Sequence, residues 1–144
     1  MSKITIALSV VLLWSPLTKA AIDSVRCFEV EEVLKVVDGD TIDVRIRVLP
    51  IDLSLLADLR IRMEGINAWE SRTKDLAEKK LGLAAKKRLV ELTQGDLEVC
   101  LSGKGKYGRW LGTLFSGETD INQQLVTEGH AHDYDGGKRK AFGK

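Results

Sequence analysis

The chain has 144 residues, with 22 Lys and Arg against 21 Asp and Glu. That near balance excludes a partner selected by net charge alone, and the length leaves room for one domain with a real core but hardly for two. No repeat or low-complexity linker divides the chain.

Lys3 is followed by fifteen residues without a charge, positions 4 to 18, and then by Lys19 and Ala20. The uncharged run falls short of the roughly 20 apolar residues of a membrane span, and the small residues Thr18 and Ala20 suit signal peptidase. Trp14, Ser15 and Pro16 interrupt the pattern of a buried helix or strand. Residues 1–20 therefore read as a secretory signal peptide, and residues 21–144 as a single secreted or periplasmic domain with no membrane attachment. Cleavage removes two of the 22 basic groups and no acids, leaving 20 against 21 and a net charge of −1. Two cysteines remain, Cys27 and Cys100, and in an exported chain an even count favours a disulfide.

Residues 28–37 and 41–48 alternate apolar and polar positions, with Ile42, Val44, Ile46 and Val48 set against Asp43, Arg45 and Arg47. This period of two predicts half-buried strands joined as a hairpin at Asp38-Gly39. Residues 49–58 contain Pro50 and read as a longer connection. A third strand spans 59–64, with Arg60 and Arg62 on the side away from the core. From Arg72 to Thr93 the apolar residues Leu76, Leu83, Ala84, Leu89, Val90 and Leu92 recur at helical spacing, with Gly95 as a stop signal. Residues 97–101 and 110–115 give two more strands. Residues 119–129 give a short helix capped by Thr119 or Asp120 and stopped by Gly129. Five short strands interrupted by one long helix predict a mainly β, α+β fold: a closed Greek-key barrel of the OB type, with one long and one short helix. Such barrels commonly bind oligonucleotides.

Charge is clustered even though it balances overall. Arg72, Lys74, Lys79, Lys80, Lys86, Lys87 and Arg88 crowd one stretch, Lys104, Lys106 and Arg109 a second, and Lys138, Arg139, Lys140 and Lys144 a third. Most such clusters are solvated faces, but they also fit a polyanion whose phosphates attract Lys and Arg. Asp38-Gly39 suffices for a turn, which leaves Asp40 without a structural reason. An EF-hand is excluded, because its third oxygen position would be Ile42 and its glycine position Asp43. With Arg62, "GINAWE" and "KYGR", the carboxylates supply what phosphodiester chemistry needs: oxygen ligands for a hard cation, a group to activate water, and cations around the transition state.

The segments "VVDGDTIDV", "RMEGINAWE", "KYGRWLGTLF" and "INQQLVTEGHA" occur in the order, and at nearly the spacing, of the staphylococcal nuclease (thermonuclease) family of calcium-dependent phosphodiesterases. The chain resembles that family over about residues 30 to 135. The resemblance implies Asp40 as a direct Ca²⁺ ligand, with Asp38 organising the turn and the outer ligand sphere. It implies Asn67 and the Ala68 carbonyl as further ligands. Arg62, eight residues before Glu70, is selected over Arg60 as the catalytic arginine. Glu70 becomes the base or positioner of the attacking water, Arg109 the second phosphate-binding arginine, Tyr107 the aromatic group that seats the nucleotide, and Tyr134 a candidate for stacking. Asn67 stands where the founding member has an aspartate, so the site lacks one negative charge. Trp69 stands where a proline is usual.

The implied activity is sugar-nonspecific endonucleolytic hydrolysis of DNA and RNA, single-stranded or denatured by preference, to 3′-phosphate products by a monomer. The alternative is a noncatalytic OB module that binds single-stranded nucleic acid and carries a degraded metal site. A structural Ca²⁺-binding export protein is a third reading. His130 and His132, with no matching carboxylate or cysteine cluster, read as surface residues at a helix end. Trp110 reads as core.

Overall fold

A computed structural model describes residues 26–48, 55–139 and 141–143. The signal-peptide segment lies outside the described residues. Among those residues no helix is long and apolar enough to cross a membrane.

The chain forms β1 (Arg26–Asp38), β2 (Thr41–Arg47), β3 (Leu56–Met63), β4 (Ile66–Ala68), α1 (Leu76–Leu92), β5 (Leu97–Lys104), β6 (Trp110–Ser116), β7 (Thr119–Asp120), α2 (Ile121–Thr127) and β8 (Ala131–Asp133). The main sheet runs β3-β2-β1-β5-β6-β7, and a parallel pairing of β3 with β6 closes its first five strands into the expected OB-type barrel. Closure removes the free edges that an open sheet would expose. β1 is long enough to serve two neighbours: residues 26–30 pair with β5, and residues 30–38 with β2. Three register shifts in the β1–β2 ladder bend the strand between those tasks.

The alternation in β2 points Ile42, Val44 and Ile46 into the barrel, where they meet Ile61, Met63, Val99 and Leu114. The opposite face carries cross-strand ion pairs. Arg45 bonds Asp58 at 2.7 Å and Glu32 at 3.0 Å, Arg60 bonds Asp43 at 2.6 Å, and Arg47 reaches Glu29 and Glu31. Each exposed pair contributes no more than about 1 kcal/mol, but together they neutralise the arginines of this wall. β4 and β8 pair as a separate two-stranded sheet that the sequence reading did not anticipate, because three residues are too few to display a period.

α1 begins at Leu76 rather than Arg72, because the Asp75 carboxylate accepts the N–H groups of Ala77 and Glu78 and so caps the helix there. It ends at Thr93, whose hydroxyl donates to the Leu89 carbonyl at 2.8 Å, so Gly95 is not its stop. The buried face also differs from expectation. Gly82, Ala85 and Leu89 face inward, while Leu76 is 80% exposed and Leu83 and Val90 face solvent. A face of small residues lets the helix approach backbone closely, a preference that hydrophobic periodicity cannot register. In α2, Asp120 is the cap, accepting the Gln123 N–H at 3.0 Å, and Gly129 ends the turn with a φ of 76°. Asn122, buried in the first turn of α2, donates to the Glu64 and Gly112 carbonyls and accepts from the Leu114 N–H, tying α2 to β6 and to the end of β3.

Cys27 and Cys100 face each other across β1 and β5 and form the expected disulfide. Glu98 lies beside them, but sulfurs bonded to each other present no thiolate to a metal. The bridge closes a loop with a sequence separation of 73 residues. Because β1–β5 pairing covers only the first residues of β1, the bridge anchors that end of the barrel. Replacing both cysteines by serine should lower the unfolding free energy by about 2–4 kcal/mol in guanidinium titrations. A loss below about 0.5 kcal/mol would show that strand pairing alone fixes the start of β1.

Candidate active site

The turn between β1 and β2 is built as its residues demand. The Asp38 carboxylate accepts the Gly39 N–H at 3.1 Å, so Asp38 serves the turn itself. The Asp40 carbonyl accepts the Met63 N–H at 2.9 Å and fixes the turn to the end of β3. The Asp40 side chain points away from the turn. One oxygen accepts the Thr41 hydroxyl at 2.9 Å; the other accepts the Ala68 N–H at 2.9 Å and stands 3.3 Å from Arg62 Nη2.

Arg62 completes a buried cluster. Its Nη1 donates to the Met63 carbonyl at 2.6 Å and its Nη2 to Asn67 Oδ1 at 3.1 Å. Asn67 Nδ2 in turn donates to the Ala68 carbonyl at 3.3 Å. Arg62 and Asp40 are each only 6% exposed, so the side of β3 that faces away from the core is covered at this position. The alternation itself holds: Arg60 and Arg62 share a face, and Arg60 is exposed. At Arg62, however, the turn and β4 cover that face. Burial pushes the Arg62 guanidinium below its ordinary range; Asp40 opposes this, and the like charges of Arg139 and Arg109 add to it. An arginine still stays protonated under such pressure.

Two close contacts with α1 set the position of these groups. A Cβ at Gly39 would lie 2.6 Å from the Ala85 Cβ and 2.8 Å from the Ala68 Cβ, so only glycine lets the turn sit between helix and β4. A Cβ at Gly82 would lie 2.6–2.7 Å from backbone atoms of Trp69, Glu70 and Ser71. The helix thus backs both the Asp38–Asp40 turn and the segment carrying Glu70.

The remaining expected residues gather around a groove of about 890 Å³. Arg62, Tyr107, Arg109 and Tyr134 line it, together with Arg139. Its lining holds five basic side chains, counting Lys104 and Lys106, against the two acids Glu64 and Asp135, so the groove favours an anion. Arg109 follows a 3₁₀ turn, Lys106–Gly108; it donates to the Lys106 carbonyl at 3.2 Å and lies 5.7 Å from the centre of the Tyr107 ring. Tyr107 is 92% exposed and adopts a left-handed φ of 59°, a conformation that costs a non-glycine residue about 1 kcal/mol or more. That conformation presents the ring at the mouth of the groove. The Tyr134 ring lies 5.9 Å from the Arg62 guanidinium, which brings this candidate into the site.

Glu70 is not hydrogen-bonded to the Asp40–Arg62–Asn67 cluster among the described residues. It stands half-exposed beyond β4, with Arg139 Nη1 at 3.7 Å. His132 corrects the reading of a surface residue at a helix end: it lies on β8, with Nε2 3.5 Å from Asn67 Nδ2 and its ring 5.1 Å from that of Trp69. Arg139 was visible in the sequence only as one member of a terminal basic cluster, with nothing to single it out. Trp69, noted only as a departure, packs against His132 and edge-on against Phe142.

The donor set suits a hard cation. A carboxylate, an amide oxygen and a main-chain carbonyl at Asp40, Asn67 and Ala68 are oxygen ligands of the Ca²⁺ or Mg²⁺ kind, without the thiolate or multiple imidazoles that zinc prefers. Arg62 Nη2 now bridges two of those oxygens, so a bound cation and the guanidinium would share Asp40. Gly82→Ala tests the framing of the site: the alanine should gain about 1 kcal/mol of helix propensity and lose about 1–3 kcal/mol to overpacking against rigid backbone. A net loss in thermal unfolding is expected, and a stabilised variant would refute the close approach.

Residues 60–143 match the family model described as staphylococcal nuclease homologue. The match takes in Arg62, Asn67, Glu70, Arg109 and Arg139 and starts after Asp40. The chain is also 33% identical over 113 residues to a micrococcal nuclease of Shigella flexneri, an alignment covering 72% of this chain and 57% of that protein. The chain thus spans a little over half the length of that curated relative. On the extent of the family match, the chain belongs to the staphylococcal nuclease homologue family.

Proposed function

We propose that the protein is a Ca²⁺-dependent, sugar-nonspecific endonuclease that hydrolyses phosphodiester bonds of DNA and RNA to 3′-phosphate products. The observation that carries this reading is the convergence of the Arg62, Arg109 and Arg139 guanidinium groups on one groove beside an oxygen cluster and Glu70. Ca²⁺ held by Asp40, Asn67 and the Ala68 carbonyl would withdraw charge from a nonbridging phosphate oxygen. Arg62 and Arg109 would donate to phosphate oxygens and balance the charge that grows as water attacks phosphorus. Glu70 is exposed enough to meet water and would orient it and take its proton. The P–O5′ bond would break as the water oxygen bonds to phosphorus, with the departing oxygen taking a proton from solvent water and Glu70 returning its own to solvent. Tyr107 and Tyr134 would seat the flanking nucleotides, sequence-tolerantly because every base has a π-face. Single-stranded or denatured substrate, whose bases are free to stack on these rings, suits that arrangement.

Export, with residues 1–20 as signal peptide and a periplasmic or extracellular destination, belongs to the same proposal. The Cys27–Cys100 bridge supports it, since such bonds persist in oxidising compartments. The noncatalytic single-strand-binding reading draws on Asn67, which leaves Asp40 as the carboxylate of the cluster.

Glu70 and Arg109 offer clean tests because neither is buried. Glu70→Gln and Arg109→Gln should each lower kcat by roughly 10²–10³-fold with unchanged circular dichroism. Wild-type rates in either variant would remove that residue from the chemistry. Arg62→Ala is a poorer probe, since stripping a buried carboxylate of its cation costs about 3 kcal/mol or more in stability.

A further inference from the structure

We propose that Arg139 is a third substrate-binding guanidinium of the groove, held there by a C-terminal strap pinned to Trp69, and that it takes a phosphate neighbouring the scissile one. The naming of a scissile phosphate rests on the nuclease reading; the contact with single-stranded nucleic acid does not.

The strap is fixed on both sides of Arg139. Before it, the Tyr134 N–H donates to the Gly65 carbonyl at 2.8 Å, the Tyr134 hydroxyl donates to the Gly137 carbonyl at 2.6 Å, and the Gly137 N–H donates to Asp135 Oδ1 at 2.9 Å. After it, the Phe142 ring meets the Trp69 ring edge-on with centroids 5.1 Å apart. Trp69 immediately precedes Glu70, so this contact ties the strap to the segment that carries the water-orienting carboxylate.

Arg139 is placed but not consumed. It lines the groove with a side chain 55% exposed, and its one ion-pair partner among the described residues, Glu70, stands at 3.7 Å, beyond hydrogen-bond length. A pair so exposed and so long contributes little to stability and yields readily to a phosphate. Arg45, Arg60 and Arg88 differ: each makes two hydrogen bonds to a single carboxylate. Arg139 and Arg109 both act on Arg62 as like charges, so three cations look into one space. A polyanion laid along the groove relieves that repulsion.

The experiment is anisotropy of fluorescein-labelled oligo(dT) with the purified protein in chelator, so that no cleavage intervenes, over a range of NaCl. Arg139→Gln should weaken binding roughly tenfold and reduce the slope of log Kd against log[NaCl] by about 0.7, the loss of one phosphate contact on a single strand. Arg139→Lys should keep the slope while binding less tightly, because it retains the charge and loses the fork. Phe142→Ala should weaken binding in the same direction by loosening the strap. Unchanged Kd and slope in Arg139→Gln, or no measurable binding by the wild type, would overturn the proposal. Cleavage in Ca²⁺ is scored separately. Wild-type binding that depends on Arg139 without any cleavage would sink the nuclease reading and leave the strap standing; cleavage with an indifferent Arg139 would do the reverse.

Discussion

The site depends on a buried cation. Withdrawing the Arg62 guanidinium from water costs several kcal/mol before any partner is counted, and only well-placed oxygens offset that cost. They come from three places: the Asp40 carboxylate after β1, the Asn67 amide on β4 and the Met63 carbonyl at the end of β3. Satisfying one side chain therefore fixes the relative positions of three segments. Asp40 is committed three times over, to the Thr41 hydroxyl, to Arg62 and to the Ala68 N–H, and a cation at this cluster would add a fourth demand. The absence of a second carboxylate at position 67 is felt here most, because the guanidinium and a metal would draw on the same negative charge.

Small residues carry the rest of the positioning. Gly39, Gly82 and Ala85 let α1 reach the backbone of the turn and of the Glu70 segment, so a helix that turns Gly82 and Ala85 inward and leaves Leu76, Leu83 and Val90 exposed still governs the site. Charge is divided just as unevenly. On the outer wall of β1, β2 and β3, Arg45, Arg47 and Arg60 are matched by acids in register, whereas the groove's basic groups outnumber its acids. A chain with nearly balanced totals thus presents one decidedly positive cleft.

Much of this was legible in the sequence, for stated reasons. The period-two pattern of β2 identified its core residues because one face meets the barrel interior along its whole length, and two cysteines allowed one pairing. The four motifs carried Asp40, Arg62, Asn67, Ala68 and Arg109 to neighbouring places, and Tyr107 and Tyr134 to the same groove. What failed failed physically. The helix periodicity was weighted by Leu76, Leu83 and Val90, which are exposed, because packing selected small residues instead. β3 alternation correctly paired Arg60 with Arg62, but a strand's own pattern is silent about what folds over its end. The strap escaped notice because its holds on the rest of the fold join residues far apart in sequence, a Tyr134–Gly65 hydrogen bond and an aromatic contact between residues 69 and 142, with no local period to announce it.

In the proposed function the cluster at Asp40, Asn67 and Ala68 serves a metal-dependent hydrolysis and is more than a buried ion pair. The most direct measurement is to incubate the protein with denatured DNA at graded Ca²⁺ and in excess chelator, and to analyse the termini of the fragments. Cleavage that rises with Ca²⁺, vanishes in chelator and leaves 3′-phosphate ends is the expected result. Binding without cleavage at every Ca²⁺ concentration, or cleavage indifferent to chelator, would contradict it.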